Sequence, residues 1–251
     1  MNEIRLRCVV VVCGDPDPSV SAAHGGFASW FLRSLGPEVE VRLCDARCET
    51  PAPAWLDGCT GLVLTGSPHS VYEPLPWIAP LEELLRDAVL SRRMPTLGVC
   101  FGHQLLAQAL GGRVIRNPRG REMGTIMVQR HDDVAVLLDG LGSRFAAQAT
   151  HRDTVVAPPR DAVVHAYSDR DDCQAFSVGT AFGVQFHPEV TAPILRSYIQ
   201  ARAGVLRTEG VDPQDLHDAV HDTVSGPIVF RNFLEVVRDE ARARVTPWPA
   251  G

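Results

Sequence analysis

The chain has 251 residues, 45% of them hydrophobic and 22% charged, with a formal net charge of −6. That allows one large α/β domain, or a domain with an appendage, and the acidic balance excludes a basic nucleic-acid surface. The apolar run over 8–13 is too short to span a membrane and no signal-peptide pattern precedes it, so a soluble cytoplasmic protein is expected. The seven cysteines, at 8, 13, 44, 48, 59, 100 and 173, contain no C-x-x-C pair and read as reduced thiols.

Residues 6–13 form a β-branched run closed by Gly14-Asp-Pro-Asp-Pro18, which predicts a central strand. A helix is expected over 24–35, a strand over 39–43, a loop over 51–56 and a strand over 61–64. Residues 77–91 place Ile78, Leu81, Leu84, Leu85 and Val89 on one helical face. Next, Leu97-Gly98-Val99 reads as a buried strand. It runs into a helix with Leu105, Leu106, Ala109 and Leu110 on one face, stopped by Gly111 and Gly112. This alternation predicts an α/β fold: a three-layer, doubly wound, mostly parallel, flavodoxin-like sheet.

Beyond Gly112, short strands are expected over 113–115, 124–129, 154–156, 163–168, 174–178 and 182–186, with one or two helices between them. They predict a smaller, partly antiparallel portion joined to the same sheet. Helices follow over 193–203, 213–223 and 227–243, then a loose tail from 246. We expect one domain over residues 1–190 and a C-terminal helical extension over 191–251 packed on it. In that extension Ile228, Val229, Phe233, Val236, Val237 and Trp248 suit core packing, with a cap over the pocket, a dimer face or a synthase-docking face as the alternatives.

Cys100 stands at the strand-to-helix switch between Gly98 and Gly102. G-x-C-x-G is the nucleophile-elbow pattern with sulfur replacing the serine oxygen. A strand that turns sharply into a helix crowds any side chain beside the nucleophile, hence the glycines. The helix N-terminus also favours a thiolate. A buried structural cysteine is the blander alternative. A base is offered by Gly183-Val-Gln-Phe-His-Pro-Glu189, a strand that delivers His187 at its end. Glu189 would accept a hydrogen bond from the other imidazole nitrogen and set the tautomer; an edge histidine beside a surface glutamate is the plainer alternative. Attack on an amide carbonyl also needs N–H donors for the oxyanion. The Phe101 amide supplies one. The second lies within Leu64-Thr65-Gly66-Ser67-Pro68, where Gly66 reads equally well as a turn glycine. No metal or organic cofactor is called for, because these groups supply the nucleophile and the proton transfers.

Three blocks carry a family likeness: Leu64-Thr-Gly-Ser-Pro-His-Ser-Val-Tyr-Glu73, Leu97-Gly-Val-Cys-Phe-Gly-His-Gln-Leu-Leu-Ala107 and Gly183-Val-Gln-Phe-His-Pro-Glu189. A fourth is Thr150-His-Arg-Asp-Thr-Val155, and Glu122-Met123-Gly124 fits a family position too. With these the chain resembles class I (triad-type) glutamine amidotransferases over residues 5–190, most of all the glutaminase domain of GMP synthetase and its free-standing relatives. The resemblance implies a Cys100–His187–Glu189 triad that cleaves a γ-glutamyl amide through a thioester, with the Gly66 and Phe101 amides as oxyanion donors. It implies that Gln104 contacts the substrate and that the Thr150–His151 backbone holds the α-amino and carboxylate groups of glutamine. It assigns no catalytic role to the His151 side chain and none to His103. Arg152 and Ser67 stand where GMP synthetases have glycine.

No Ser-Gly-Gly-Val-Asp-Ser phosphate loop follows Glu189, and no G-x-x-x-x-G-K-[ST] occurs, so ATP-dependent activation of an acceptor is expected on another polypeptide. Two enzyme readings remain: a glutaminase passing ammonia to a separate synthase subunit, and an autonomous hydrolase of γ-glutamyl peptides or conjugates. A non-catalytic binding or regulatory protein is the third. The expected partners are glutamine or a γ-glutamyl substrate and, in the first reading, the synthase, with no nucleic acid and no membrane.

Overall fold

Four consecutive valines decide where β1 (Arg7–Val12) lies. Every residue of it after Arg7 is buried, as in a parallel strand covered by helices on both faces. In the structure, a computed structural model that describes residues 5–131 and 135–245, Cys8 and Val10 join one apolar cluster and Val9 and Val11 join another. The first cluster holds Phe27 and Phe31 of α2 (Phe27–Leu35), Leu195 of α5 (Ala192–Ala201) and Phe233 of α8 (Ser225–Val245). The second holds Leu81 and Leu85 of α3 (Ile78–Arg86) with Leu105 and Leu106 of α4 (Phe101–Ala109). These are the three layers of a doubly wound sheet.

The nine-stranded sheet runs β2-β1-β3-β4-β11-β10-β9-β6-β7. The parallel part comprises β2 (Glu40–Asp45), β1, β3 (Gly61–Leu64), β4 (Thr96–Val99) and β11 (Ala181–Val184). The antiparallel part adds β10 (Ala175–Val178), β9 (Val163–Tyr167), β6 (Glu122–Arg130) and β7 (Arg144–His151). A separate ribbon pairs β5 (Arg113–Arg116) with β8 (Asp153–Ala157). The mixed α/β fold with a helical C-terminal end is thus as the periodicities predict.

Some elements differ. The helix expected over 24–35 begins only at Phe27, as α2, and a helix that was not foreseen, α1 (Pro18–His24), precedes it; Gly25, whose φ is 81°, parts the two. Asp17 starts α1 early by accepting a hydrogen bond from the Ser19 amide at 2.9 Å, an N-cap. The helix expected over 77–91 leaves α geometry at Arg86 and ends in a π-turn over Asp87–Ser91. Strand β7 was not foreseen. Its sequence, Arg-Phe-Ala-Ala-Gln-Ala-Thr-His, has little β-propensity and becomes a strand by pairing with β6 across eight registered positions. Between β5 and β11 the described residues contain no α-helix, only the 3₁₀ turn Val136–Leu138. Two short helices, α6 (Ala203–Thr208) and α7 (Pro213–Ala219), occupy the region before α8; α7 stops short of the expected 223, and α6 was not foreseen.

Helix α8 is anchored to the strand-rich half. Asn232 donates to the carbonyls of Leu137 at 3.0 Å and Asp139 at 2.8 Å. Its first turn abuts the loop after β11, where a Cβ on Gly226 would lie 2.2 Å from the Pro188 carbonyl oxygen. Trp248 and the tail from 246 lie outside the described residues.

Candidate active site

Three neighbouring parallel strands end at one edge of the sheet. β4 pairs with β3 (Leu64 beside Gly98) and with β11 (Val99 beside Val184). Strands in such a sheet lie about 4.8 Å apart, so the segments just beyond Leu64, Val99 and Val184 converge however far apart they are in sequence. This edge is where ligands sit in open α/β sheets.

Cys100 links β4 to α4 with φ 52° and ψ −102°, a conformation that side-chain-bearing residues rarely adopt and that costs about 1–3 kcal/mol. A Cβ on Gly98 would lie 2.4 Å from the Gly102 carbonyl oxygen, and one on Gly102 2.7 Å from Leu64 Cβ. The two glycines therefore permit the elbow. The Cys100 amide donates to the Val184 carbonyl at 2.9 Å, and its carbonyl accepts from Gln104 N at 3.0 Å as the first bond of α4. The Phe101 N–H lies in the unsatisfied first turn of that helix.

His187 follows β11. Its backbone amide donates to the Gln148 carbonyl at 2.8 Å, and its Nδ1 lies 2.7 Å from Glu189 Oε1. Both side chains are buried. Burial opposes a charged imidazole, but Glu189 and the Cys100 sulfur outweigh it and push the His187 pKa up to about 10. Burial likewise opposes a thiolate at Cys100, yet the facing His187 lowers its pKa below the ordinary thiol value. The two shifts have one cause: a thiolate and an imidazolium stabilise each other where both are buried. Nδ1 is taken by Glu189, which leaves Nε2 for the sulfur.

Gly66 borders this pair. A Cβ there would lie 3.2 Å from His187 Cε1 and 3.9 Å from Cys100 Cβ. The Thr65 hydroxyl fixes the turn, donating to the Gly66 carbonyl at 2.9 Å and accepting from the Cys13 amide at 3.0 Å. Beside Cys100 opens a cavity of about 160 Å³ lined by Phe101, Gln104, Thr150, His151, Arg152 and Arg202, among others. Such a volume suits a group the size of an amino acid rather than a drug-sized ligand. A larger cavity of about 720 Å³ borders Arg121 but touches none of Cys100, His187 and Glu189, whereas the smaller one is lined by Cys100.

The model of class I glutamine amidotransferases matches residues 30–200. This chain belongs to that family. It is 42% identical over 136 residues to a glutamine-hydrolysing GMP synthase of Aeropyrum pernix, 54% of this chain but only 25% of the synthase. The chain thus spans about a quarter of that relative's length. It is 31% identical over 244 residues to gamma-glutamyl peptidase 2 of Arabidopsis thaliana, covering 92% of this chain and 97% of the peptidase. A glutamine amidotransferase structure from Thermotoga maritima superposes with a TM-score of 0.75 over 94% of this chain and 100% of its own, at 24% identity, which shows a shared fold.

Within this amidotransferase fold the remaining sequence-predicted residues fall as follows. Gln104 lines the pocket, its Nε2 donating to Gln185 Oε1 at 2.9 Å and the Asp153 carbonyl at 3.2 Å. Thr150 and His151 end β7 at the pocket wall. The His151 imidazole lies 3.0 Å from Glu122 and 3.7 Å from Asp171. Burial disfavours its charge, but those carboxylates outweigh it and raise its pKa. His103 is buried against Phe176, ring centroids 4.9 Å apart, and burial pushes its pKa down to about 3; it is a neutral packing residue. Ser70 and Tyr72 donate to the Asp153 carboxylate at 2.5 and 3.1 Å, which braces the loop after β3 against β8.

Sequence reasoning missed Arg202 and Tyr198, which face Cys100 and His187 across a narrow cleft. A signal existed. Ile194, Leu195, Tyr198 and Ile199 form the buried face of α5, and Arg202 continues that face one turn on. A charge on an apolar stripe is the informative exception. It also missed the Glu122–His151–Asp171 cluster, which no local pattern announces.

Proposed function

We propose that the protein is a cysteine hydrolase that cleaves a γ-glutamyl amide, with Cys100 as nucleophile, His187 as general acid–base and Glu189 as its orienting carboxylate. The observation that carries this reading is the strained Cys100 elbow facing a buried His187 whose Nδ1 is engaged by Glu189. The thiolate attacks the γ-carbonyl carbon, and the resulting oxyanion is held by the Gly66 and Phe101 N–H groups, each worth about 3 kcal/mol. His187 gives its proton to the nitrogen as the C–N bond breaks, which leaves a γ-glutamyl thioester and a free amine. Water then loses a proton to His187 and attacks the thioester. The C–S bond breaks, glutamate leaves and the thiolate–imidazolium pair is restored. Glu189 holds the imidazole in the tautomer that both steps need.

Gln104 and the Thr150–His151 backbone orient the glutamyl group in this reading. The helices after residue 190 are part of the enzyme: α5 brings Tyr198 and Arg202 to the cleft and α8 supports the Pro188 loop. Full-length correspondence with a gamma-glutamyl peptidase favours an autonomous hydrolase. The stronger local identity to a GMP synthase favours the second reading, a glutaminase that passes ammonia to a separate synthase subunit. Either reading places the protein where thiols stay reduced, such as the cytoplasm.

Glutamate release from glutamine and from γ-glutamyl dipeptides by the purified protein tests the proposal. Cys100→Ala is expected to lower that release by about 10⁴-fold or more; an unchanged rate sinks the cysteine mechanism. Fast dipeptide cleavage without a partner selects the autonomous hydrolase. Slow glutamine turnover that rises when a synthase is added selects the glutaminase.

A further inference from the structure

A second cleft at Cys100 shares Thr150 and Arg202 with the pocket of Gln104 but is lined also by Asp17, Phe27, His187 and Tyr198. His187 defines what this cleft is for. The imidazole that protonates the departing nitrogen must sit beside it, so the substituent on that nitrogen extends into the cleft His187 lines. This step rests on the hydrolase reading above.

Arg202 is the unusual group there. It closes α5, lies largely out of solvent and stacks its guanidinium over the Tyr198 ring at 4.8 Å from the centroid. It donates to Thr150 Oγ1. Among the described residues no carboxylate lies within 4.0 Å of it. The acidic groups around the site are otherwise engaged. Asp15 pairs with Arg47 at 2.5 Å, Asp17 accepts from Ser19 N and Oγ at 2.9 and 2.6 Å, and Glu189 faces His187. Asp153 is held by Ser70 and Tyr72, and Glu209 takes Arg121 in a two-pronged pair at 2.9 and 3.1 Å. The Cys100 sulfur is matched by His187. A part-buried guanidinium without a counter-ion is costly, and this one is held in place by a hydroxyl at Nη1 and an aromatic ring, with the rest of its fork left for an incoming planar anion.

We infer that Arg202 is the binding site for a carboxylate on the leaving-group side of the scissile bond. The preferred substrate is then a γ-glutamyl amino acid or short γ-glutamyl peptide rather than glutamine, whose amide nitrogen carries no substituent. The cleft is narrow, so the carboxylate sits close to the scissile nitrogen, as in γ-glutamylglycine. Tyr198 and Thr150 are positioning residues for the guanidinium.

Binding to the Cys100→Ala protein, followed by calorimetry, tests this without turnover. The probes are γ-glutamylglycine and γ-glutamylglycinamide, which differ in the carboxylate alone. The acid is expected to bind about tenfold or more tightly than the amide, as a charge-assisted pair requires. Adding Arg202→Gln should bring the ratio near one, and Arg202→Lys should keep part of it. Equal binding of acid and amide with Arg202 present overturns the inference. A preference that survives Arg202→Gln overturns it too, since another cation would then read the carboxylate. So does an equal loss for both probes, which would place the glutamyl α-carboxylate on Arg202. Should Arg202→Gln fail to fold, the acid-to-amide ratio of Cys100→Ala and its change in Arg202→Lys decide. If the wild-type protein releases no glutamate while the preference holds, the hydrolase reading fails and the carboxylate site stands.

Discussion

The parallel and antiparallel halves of the sheet do different work. In the parallel half, β1, β3, β4 and β11 are almost wholly apolar and buried, and the candidate catalytic groups sit just beyond the ends of β3, β4 and β11. Backbone register sets where Gly66, Cys100 and His187 meet. In the antiparallel half, buried polar side chains gather instead: Glu122, His151, Ser168, Asp171 and Gln174 form one hydrogen-bonded cluster behind the pocket wall. The Ser168 hydroxyl donates to Glu122 at 2.7 Å and Gln174 Nε2 donates to it at 2.6 Å. One half brings the candidate reactive groups together by backbone register; the other shapes a pocket by satisfying charges that burial would otherwise penalise. Substitutions in the first should act on rate, and those in the second on stability.

The largest effect that sharpens this contrast is expected at Glu189. Glu189→Gln should lower kcat by about 10³-fold or more, because the neutral amide no longer offsets the imidazolium charge and can donate to Nδ1, which fixes the wrong tautomer. It should also lower the alkaline limb of the pH–rate profile. That limb is expected near pH 10 in the wild type, where the raised His187 pKa sets the loss of the proton that it donates in the proposed mechanism. The sign follows from the raised pKa: the protonated form persists below it and is lost as pH rises through it. A limb that stays near pH 10 in the variant would break the assignment.

Gly226→Val tests whether α8 supports the chemistry. Its side chain cannot fit beside the Pro188 carbonyl, and a displacement of the His187–Glu189 loop by about 1 Å is enough for a hundredfold fall in kcat. Circular dichroism should show a folded protein; wild-type turnover would show that α8 has no part in holding the loop.

Glu122→Gln probes the other half. It leaves His151 with a weakened partner inside a closed site, so unfolding in urea should show a loss of about 3 kcal/mol. The His151 pKa is raised in the folded protein. Its stabilisation is therefore fully present below the unfolded value near 6.5 and is lost as pH rises through the folded value. The variant should lose that pH dependence. The smallest effect is expected at the surface: Arg119→Ala removes an exposed pair with Asp172 and should move Tm by under about 2 °C.

Much of the parallel half was legible because its signals are local. A valine run, a glycine on either side of Cys100 and a histidine at a strand end each state their structure within a few residues. The pocket wall was less legible. Strand β7 has three alanines among eight residues, and nothing in it signals a strand until β6 lies alongside. The split of α1 from α2 was readable in Gly25–Gly26 but was outweighed by the apolar spacing beyond it. Arg202 stood in plain view on an apolar helical face, yet its meaning depends on Cys100 and His187 lying across the cleft.

By itself the sequence determined the doubly wound architecture, the elbow and the identity of the groups that meet there, because hydrophobic period and glycine spacing act over short stretches of chain. Only the tertiary structure decided the charge states and the company those groups keep. It set Glu122 and Asp171 beside His151, put Glu189 against a buried imidazole and left Arg202 without a carboxylate. The reason is physical: desolvation and Coulomb energies depend on distances in space, and those distances exist only once the strands have paired.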